Sequence, residues 1–465
     1  MVKFFLSILI VLILAFGSLL FAQQAKPADA PLTSDSVQSL KALTSADLIT
    51  KLQEESNEGI GFDTMAWASG FIAIDEEPQF RGGIMGSPKP KVSPVMRELV
   101  RRGLAALPML IDHLSDARST KLIVGRGSMG KWFDEEYDPR EQRMSNEPSR
   151  IKMIEKTMMN PQKSFDQYTV RVGDLCFVAI GQIVNRNLNA VRYQPSLCLV
   201  VNSPVENPAL AAAVKADWSG LTSADFERSL EQDALNPDAW GAETDAMKRL
   251  LFYYPVTGNP LAIKMLNRSF YDSNLAYRFF NKSLVHAKDV KQQDKLLADF
   301  RKENGELNYR AIARCLIQVS TFPKSQMTPE RTRNKVVADQ LLARLFPDVD
   351  PVHPPFMDIV DVQAQRSLVN GVAAFHSQEM DKAIFQVLQR IVALRFDKYA
   401  DKFEQWELAY ACARQLVKPE EREALALSHE KFCSEVGKAE ANSKDTFVEK
   451  RVEKYLQDLI KQFPS

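Results

Sequence analysis

Apolar residues recur at helical spacing along most of this 465-residue chain, and each time they occupy one face only. After Ser377, the residues Met380, Ile384, Val387, Leu388, Ile391 and Val392 fall on one stripe. Near the end, Phe447, Val448, Val452, Tyr455, Leu456, Leu459, Ile460 and Phe463 form another, opposite Lys, Glu, Arg, Asp and Gln. The mixed sign of that polar face marks a core-facing helix, because a helix with one apolar stripe has to bury it against a neighbour. Helix starts are written beside these stripes as a capping residue followed by proline: Asn207-Pro208, Asn236-Pro237, Asn259-Pro260 and Thr328-Pro329. Thr44 with Asp47 and Thr222 with Asp225 resemble capping boxes. Further helices are expected near 45–56, 95–102, 105–115, 173–186, 243–254, 260–268, 273–286, 290–302, 308–319, 329–346, 361–375, 398–417 and 419–436. Strand signals are few: Phe71–Ile74, Lys121–Val124 and Leu197–Val201, read as small hairpins or extended segments.

Residues 95–116 carry a family resemblance through Leu99, Gly103, Ala106, Leu107, Pro108, Leu110, Ile111, Leu114 and Asp116. They look like a HEAT repeat, the helical-pair unit of α-solenoids. In such a unit Leu99 belongs to the first helix, Gly103 permits the turn and Pro108 bends the start of the second. The unit covers about 22 residues; from about 243 onward the likeness is architectural, as paired helices joined by short polar turns. The expected fold is mainly α: HEAT-like helical pairs forming an α-solenoid or an irregular helical array, with a less regular segment at about 117–240.

The N-terminus sets an address. Met1-Val2-Lys3 is a short cationic start, and Phe4–Ala22 is almost wholly apolar, broken by Ser7, Gly17 and Ser18. This is the layout of a secretory signal cut after Ala22; an uncleaved anchor is the competing reading. Either way the body is expected outside the cytoplasm, periplasmic or secreted. Residues 1–22 are read as signal peptide, 23–38 as a flexible leader, 39–240 as an N-terminal helical domain with the HEAT-like unit and an irregular insert, and 241–465 as a C-terminal helical-repeat array. The whole chain has 59 basic and 59 acidic residues, and loss of Lys3 with the signal leaves a formal charge of −1. That balance disfavours a nucleic-acid binder held by a bulk basic field.

The five cysteines are Cys176, Cys198, Cys315, Cys412 and Cys433. Cys176 with Cys198 and Cys412 with Cys433 are separated by lengths that an antiparallel helix pair could bring together, so each is a candidate disulfide; buried thiols are the alternative. No Cys-x-x-Cys occurs. Gly125-Arg126-Gly127-Ser128-Met129-Gly130-Lys131 has phosphate-loop spacing, but Trp132 stands where a magnesium-binding hydroxyl belongs and no apolar helix follows, so it reads as a surface loop. His429-Glu430 opens like a zinc-protease helix, but Cys433 stands where the second histidine belongs. No cofactor and no metal site are expected.

Two groups remain as candidate contacts. Trp132, Phe133 and Tyr137, beside the acidic run Asp134, Glu135, Glu136 and Asp138, could form a partner-contact loop. Asp174, Gln182, Asn185, Arg186, Arg192 and Tyr193 could line a pocket, or tie down an irregular segment as a polar network. The expected function is an exported, non-catalytic binding or scaffold protein of the cell envelope. Its partner would be a protein or peptide and not nucleic acid, and it would meet a membrane only through an uncleaved N-terminal segment. The alternative is an exported hydrolase with its site in the 120–200 region, because catalytic groups need no local motif.

Overall fold

The computed structural model describes residues 39–56, 71–74, 93–125, 130–135, 137, 165–193, 198–235, 242–271, 273–320, 328–347, 359–393, 402–440 and 454–463. The signal segment 1–22 and the leader 23–38 lie outside them. Residues 39–41 are helical and belong to a unit spanning Met1–Thr44; Ser45–Ser465 is a second unit, taken by itself below. No helix among the described residues is long and apolar enough to cross a membrane. The described chain is mainly helical, with little sheet.

Four helices open this unit: α1 (Ser45–Lys51), α2 (Pro94–Arg101), α3 (Leu107–Asp112) and α4 (Val172–Val184). Ser93 caps α2 by accepting the Met96 N–H at 3.2 Å, with Pro94 in the first turn. The chain then turns through Gly103 at φ 54°, where a side chain would be strained and a Cβ would lie 2.7 Å from the Tyr253 ring. Leu99, Ala106, Leu107, Leu110, Ile111 and Leu114 are all buried, and α4 packs on both α2 and α3.

The sheets are small. β1 (Ser119–Val124) pairs antiparallel with β3 (Tyr168–Arg171). β5 (Leu199–Val201) lies between β2 (Lys131–Phe133), parallel to it, and β4 (Val191–Tyr193), antiparallel. Phe71–Ile74 is not a strand. It is a buried turn, with Phe71 edge-on to Phe252 at 5.5 Å and the Ile72 N–H donating to Gln182 Oε1 at 3.1 Å.

Helices α5 (Pro208–Trp218), α6 (Ser223–Leu235), α7 (Ala242–Tyr253) and α8 (Pro255–Leu266) follow. Asn207 caps α5, accepting from Ala209 N at 3.0 Å and Leu210 N at 3.2 Å. Thr222 and Asp225 form their cap, the Asp225 N–H reaching Thr222 Oγ1 at 3.2 Å. The Asn236-Pro237 start lies outside the described residues. Asn259-Pro260 does not start a helix: α8 begins at Pro255 and carries Pro260 inside it. The N–H that Pro260 lacks would have donated to the Val256 carbonyl. Val256 is 89% exposed, so water can take that place.

After α8, β6 (Ser269–Tyr271) leads into α9 (Ser273–Phe279), a π-helical turn (Phe280–Leu284), α10 (Val290–Ser320) and α11 (Pro329–Leu345). β7 (Ile359–Asp361) then pairs parallel with β6. The helices expected at 290–302 and 308–319 are one 31-residue helix, because no proline interrupts the polar stretch between them. Thr328 caps α11 by accepting the Arg331 N–H at 3.2 Å. α9, the π turn, α10 and α11 share a core of Phe280, Leu284, Leu297, Phe300, Ile312, Leu316 and Leu341, every member of which lies between 276 and 342.

Helices α12 (Val362–Gly371), α13 (Gln378–Ala393), α14 (Lys402–Leu416) and α15 (Arg422–Glu440) complete the labelled elements, and residues 454–460 form a last helix that buries Leu456 and Leu459. α7 packs on α8 and on α12, while α8 packs on α13. Two helical layers distant in sequence therefore stack, with the α9–α11 bundle inserted between them in the chain. At this junction Arg390 donates to the carbonyls of Leu266 at 2.5 Å, Asn267 at 3.0 Å and Arg268 at 2.7 Å. Gln365 donates to Leu266 O at 2.9 Å. The last carbonyls of α8 have no partner within their own helix, so these side chains supply one.

At Gly258, α8 comes close to the backbone of α7: a Cβ there would lie 2.8 Å from Leu251 N and 2.9 Å from the Leu250 carbonyl carbon. Backbone cannot yield as a side chain does, so Gly258→Ala is expected to cost about 1–3 kcal/mol. Val256→Ala, at an exposed position four-fifths or more open to solvent, should stay within ~0.5 kcal/mol of the parent. Urea unfolding followed by circular dichroism checks both.

Candidate functional site

The candidate group around Asp174 forms two knots at the two ends of α4. Asp174 sits in the first turn of α4 and is fully buried. Its Oδ2 accepts from the Arg171 N–H at 2.8 Å and the Tyr168 hydroxyl at 2.7 Å, and its Oδ1 accepts from the Ser203 hydroxyl at 2.5 Å. Ser203 Oγ in turn accepts the N–H groups of Val205 and Glu206, both at 3.2 Å. One carboxylate thus ties β3, α4 and the segment after β5 together. Burial pushes its pKa up to about 6, against the opposing pull of the three hydrogen bonds. Burial likewise raises the Tyr168 hydroxyl, with the Asp174 charge adding to it.

The second knot closes the other end of α4. Asn185 takes the left-handed conformation at φ 57° that ends the helix. Arg186 turns back over the last carbonyls, donating to Val184 O at 3.2 Å and Asn185 O at 2.9 Å, and it pairs with Asp233 of α6 at 2.8 Å. Its guanidinium lies 5.1 Å from the Trp218 ring centroid. Gln182 accepts from Ile72 through its side chain, and its carbonyl accepts the Arg249 Nε–H at 2.6 Å. Arg192 and Tyr193 pair along β4 with Val200 and Leu199. The side chains of Asp174, Gln182 and Arg186 fasten one segment to another through hydrogen bonds to backbone and to neighbouring side chains.

The candidate contact group Trp132, Phe133 and Tyr137 is part-buried. Trp132 and Phe133 belong to β2, and Phe133 packs on Phe165 at 4.8 Å and Tyr168 at 5.6 Å. Tyr137 donates to the Asp217 carboxylate of α5. Residues 126–129, the centre of the glycine-rich loop, lie outside the described residues, as do Glu136 and Asp138. All five cysteines are free thiols, so neither Cys176–Cys198 nor Cys412–Cys433 is bridged in this structure. Cys176 and Cys412 are enclosed, and burial raises both thiols.

Cys433 belongs to a different grouping, at the His429-Glu430 motif whose second histidine it replaces. α14 and α15 bring Glu407 and His429 face to face, and Cys433 follows His429 by one helical turn on the same side of α15. Glu407 Oε1 lies 3.0 Å from His429 Nε2, and Cys433 Sγ lies 3.6 Å from that same nitrogen. The other ring nitrogen, Nδ1, meets the Tyr455 hydroxyl at 2.8 Å. Tyr410 stacks on the imidazole at 3.8 Å and an interplanar angle of 3°, and Phe432 stacks on Tyr455 at 4.0 Å. Arg366 approaches Glu407 Oε2 at 3.8 Å. The His429 hydrogen bond holds the Glu407 carboxyl below its usual range, while burial and the Glu407 charge push the Cys433 thiol up.

This arrangement differs from a nucleophile–base–carboxylate relay. Such a relay needs the thiol on one ring nitrogen and the carboxylate on the other; here both face Nε2. The imidazole is also fixed in orientation, by Tyr410 on its face and Tyr455 at its far nitrogen. The missed residue is Glu407, which no local spacing connects to His429. The i, i+4 pair His429 and Cys433 was the available signal.

Two shallow openings lie elsewhere. One is lined by Asp294, Leu297, Arg301, Lys302, Tyr309 and Leu345 of the inserted bundle, and the other by Asn267, Gln386, Gln389 and Arg390. Comparison with protein-family models, with curated proteins and with solved structures finds no match to this chain.

The raised Asp174 carboxyl gives a signed pH dependence. Above about pH 6 the folded chain bears the cost of a buried charge; as pH falls toward about 4 the folded state binds the proton and the unfolded state does not, so this group makes the fold more stable on acidification. Asp174→Asn removes that gain. Its destabilisation, about 1–3 kcal/mol from the lost acceptor, is therefore expected to be larger near pH 4.5 than near pH 7. Paired urea titrations of parent and variant at the two pH values check it.

Proposed function

We propose that this chain is an exported, non-catalytic binding or scaffold protein of the cell envelope, built as an array of HEAT-like helical pairs. The supporting observation is the stacking of α7 and α8 on α12 and α13. Helical pairs that stack layer on layer bury one face of each helix and leave a broad outer surface whose length grows with the number of layers. The turn at Gly103 gives the pair α2 and α3 the short connection that such a unit uses. Mixed-sign charge on the outer faces suits a protein or peptide partner. The apolar N-terminal segment carries the export reading.

Two measurements test this proposal. N-terminal sequencing of the chain produced in an exporting host is expected to begin at Gln23; retention of the chain in the cytosol would contradict export. Affinity capture on immobilised chain Gln23–Ser465 from envelope extract is expected to retain a protein at near-stoichiometric level that soluble chain competes away. Retention of nothing that competes, across extracts and salt conditions, would contradict the binding role.

A further inference from the structure

We infer that Glu407, His429 and Cys433 form a three-ligand site for a zinc-class divalent cation, with a fourth coordination position open to water or an exogenous ligand. This inference is independent of the binding role proposed above. It rests on three ligand atoms of different chemical kinds, all within 4.8 Å of one another, that converge on one point between α14 and α15.

The distances suit the cation. A tetrahedral zinc with Zn–S of about 2.3 Å and Zn–N of about 2.0 Å holds its sulfur and nitrogen ligands roughly 3.5 Å apart. Cys433 Sγ and His429 Nε2 are 3.6 Å apart. Glu407 Oε1 and Nε2, at 3.0 Å, need to separate by only a few tenths of an ångström to meet the same geometry. The donor set of thiolate, imidazole and carboxylate selects zinc-like metals over calcium and magnesium, which take oxygen ligands.

The surroundings match a ligand set more closely than a structural hydrogen bond. Metal-bound histidines commonly give their second ring N–H to a fixed partner, which sets the tautomer. Tyr455 occupies that place at 2.8 Å; when a cation replaces the Nε2 proton that now bonds Glu407, Nδ1–H donates to the phenol oxygen and the Nε2 lone pair faces the metal. Tyr410 stacked on the ring fixes its plane. His429 is buried, whereas Glu407 and Cys433 are part-exposed, so the open position faces the solvent side and a cation has a way in. Binding releases the thiol proton of Cys433 to water and forms an S–metal bond; no electron is transferred. Arg366 is the charge that opposes a cation here, and it lies beyond the far oxygen of Glu407 at 3.8 Å.

The test uses chain Gln23–Ser465 stripped with a chelator, then titrated with Co2+ and separately with Zn2+. One equivalent of Co2+ is expected to give ligand-field bands of tetrahedral intensity and a near-ultraviolet thiolate-to-cobalt charge-transfer band. Zn2+ should displace it and raise the Tm. Cys433→Ser should abolish the charge-transfer band and weaken Zn2+ by tenfold or more, while the chelated variant keeps the parent's circular dichroism and Tm. Tyr455→Phe should keep the band and weaken the metal by about 10-fold through loss of the orienting hydroxyl. No stoichiometric uptake by the folded parent would overturn the proposal. So would a charge-transfer band that survives in Cys433→Ser, since the thiolate would then be another cysteine.

Discussion

The structure depends on satisfying helix ends that are buried when helices stack. A helix leaves its last carbonyls without intrahelical partners, and an array of packed helices hides many of those ends from water. Three arginines supply the missing donors. Arg186 covers Val184 and Asn185 at the end of α4, Arg249 reaches from α7 to the Gln182 carbonyl in the last turn of α4, and Arg390 covers Leu266, Asn267 and Arg268 at the end of α8. Each guanidinium is a planar fork that can serve several carbonyls at once, and a cation is favoured at a helix C-terminus. The same three side chains also join elements far apart in sequence, so the cap and the tertiary contact are one interaction.

The Arg390 junction explains how the chain tolerates a long excursion in its middle. α8 and α13 meet there although the whole α9–α11 bundle lies between them in sequence. Parallel strands need a crossover of a dozen or more residues, and the bundle is the crossover between β6 and β7. Its core closes on itself between 276 and 342, so the bundle and the stacked layers each bury their own apolar stripes. On this view the layers α7, α8, α12 and α13 would stack without the bundle.

Much of the helical framework was legible in the sequence, because capping and periodicity are local. Asn207, Thr222 and Thr328 cap the helices they announce, and Gly103 makes the turn written for it. Local rules failed where tertiary context decided. Pro260 marks a helix start only if the missing donor matters, and here it leaves the carbonyl of Val256, a largely exposed residue, without its helical partner. Phe71–Ile74 has strand-like residues, yet among the described residues no strand pairs with it, and Gln182 with Arg249 holds it as a turn. Asp174 was legible as a member of a polar network, and the Tyr168 and Ser203 contacts that complete its knot come from segments that fold back on it. The grouping at His429 shows the limit most clearly: two of its members are four residues apart, but Glu407 belongs to the preceding helix. Only packing of α14 on α15 reveals that all three point at one place.

The central structural claim is that stacked helical layers, fastened at the end of α8, carry the chain while the α9–α11 bundle is an insertion. Its most direct test replaces residues 273–357 with a flexible linker of about twelve Gly and Ser residues, long enough for a parallel crossover. The expected result is a soluble chain that unfolds in one cooperative transition and keeps slow amide exchange in α7, α8, α12 and α13. A chain that loses helicity beyond the excised segment, or exchanges those four helices as an unfolded chain does, would contradict it.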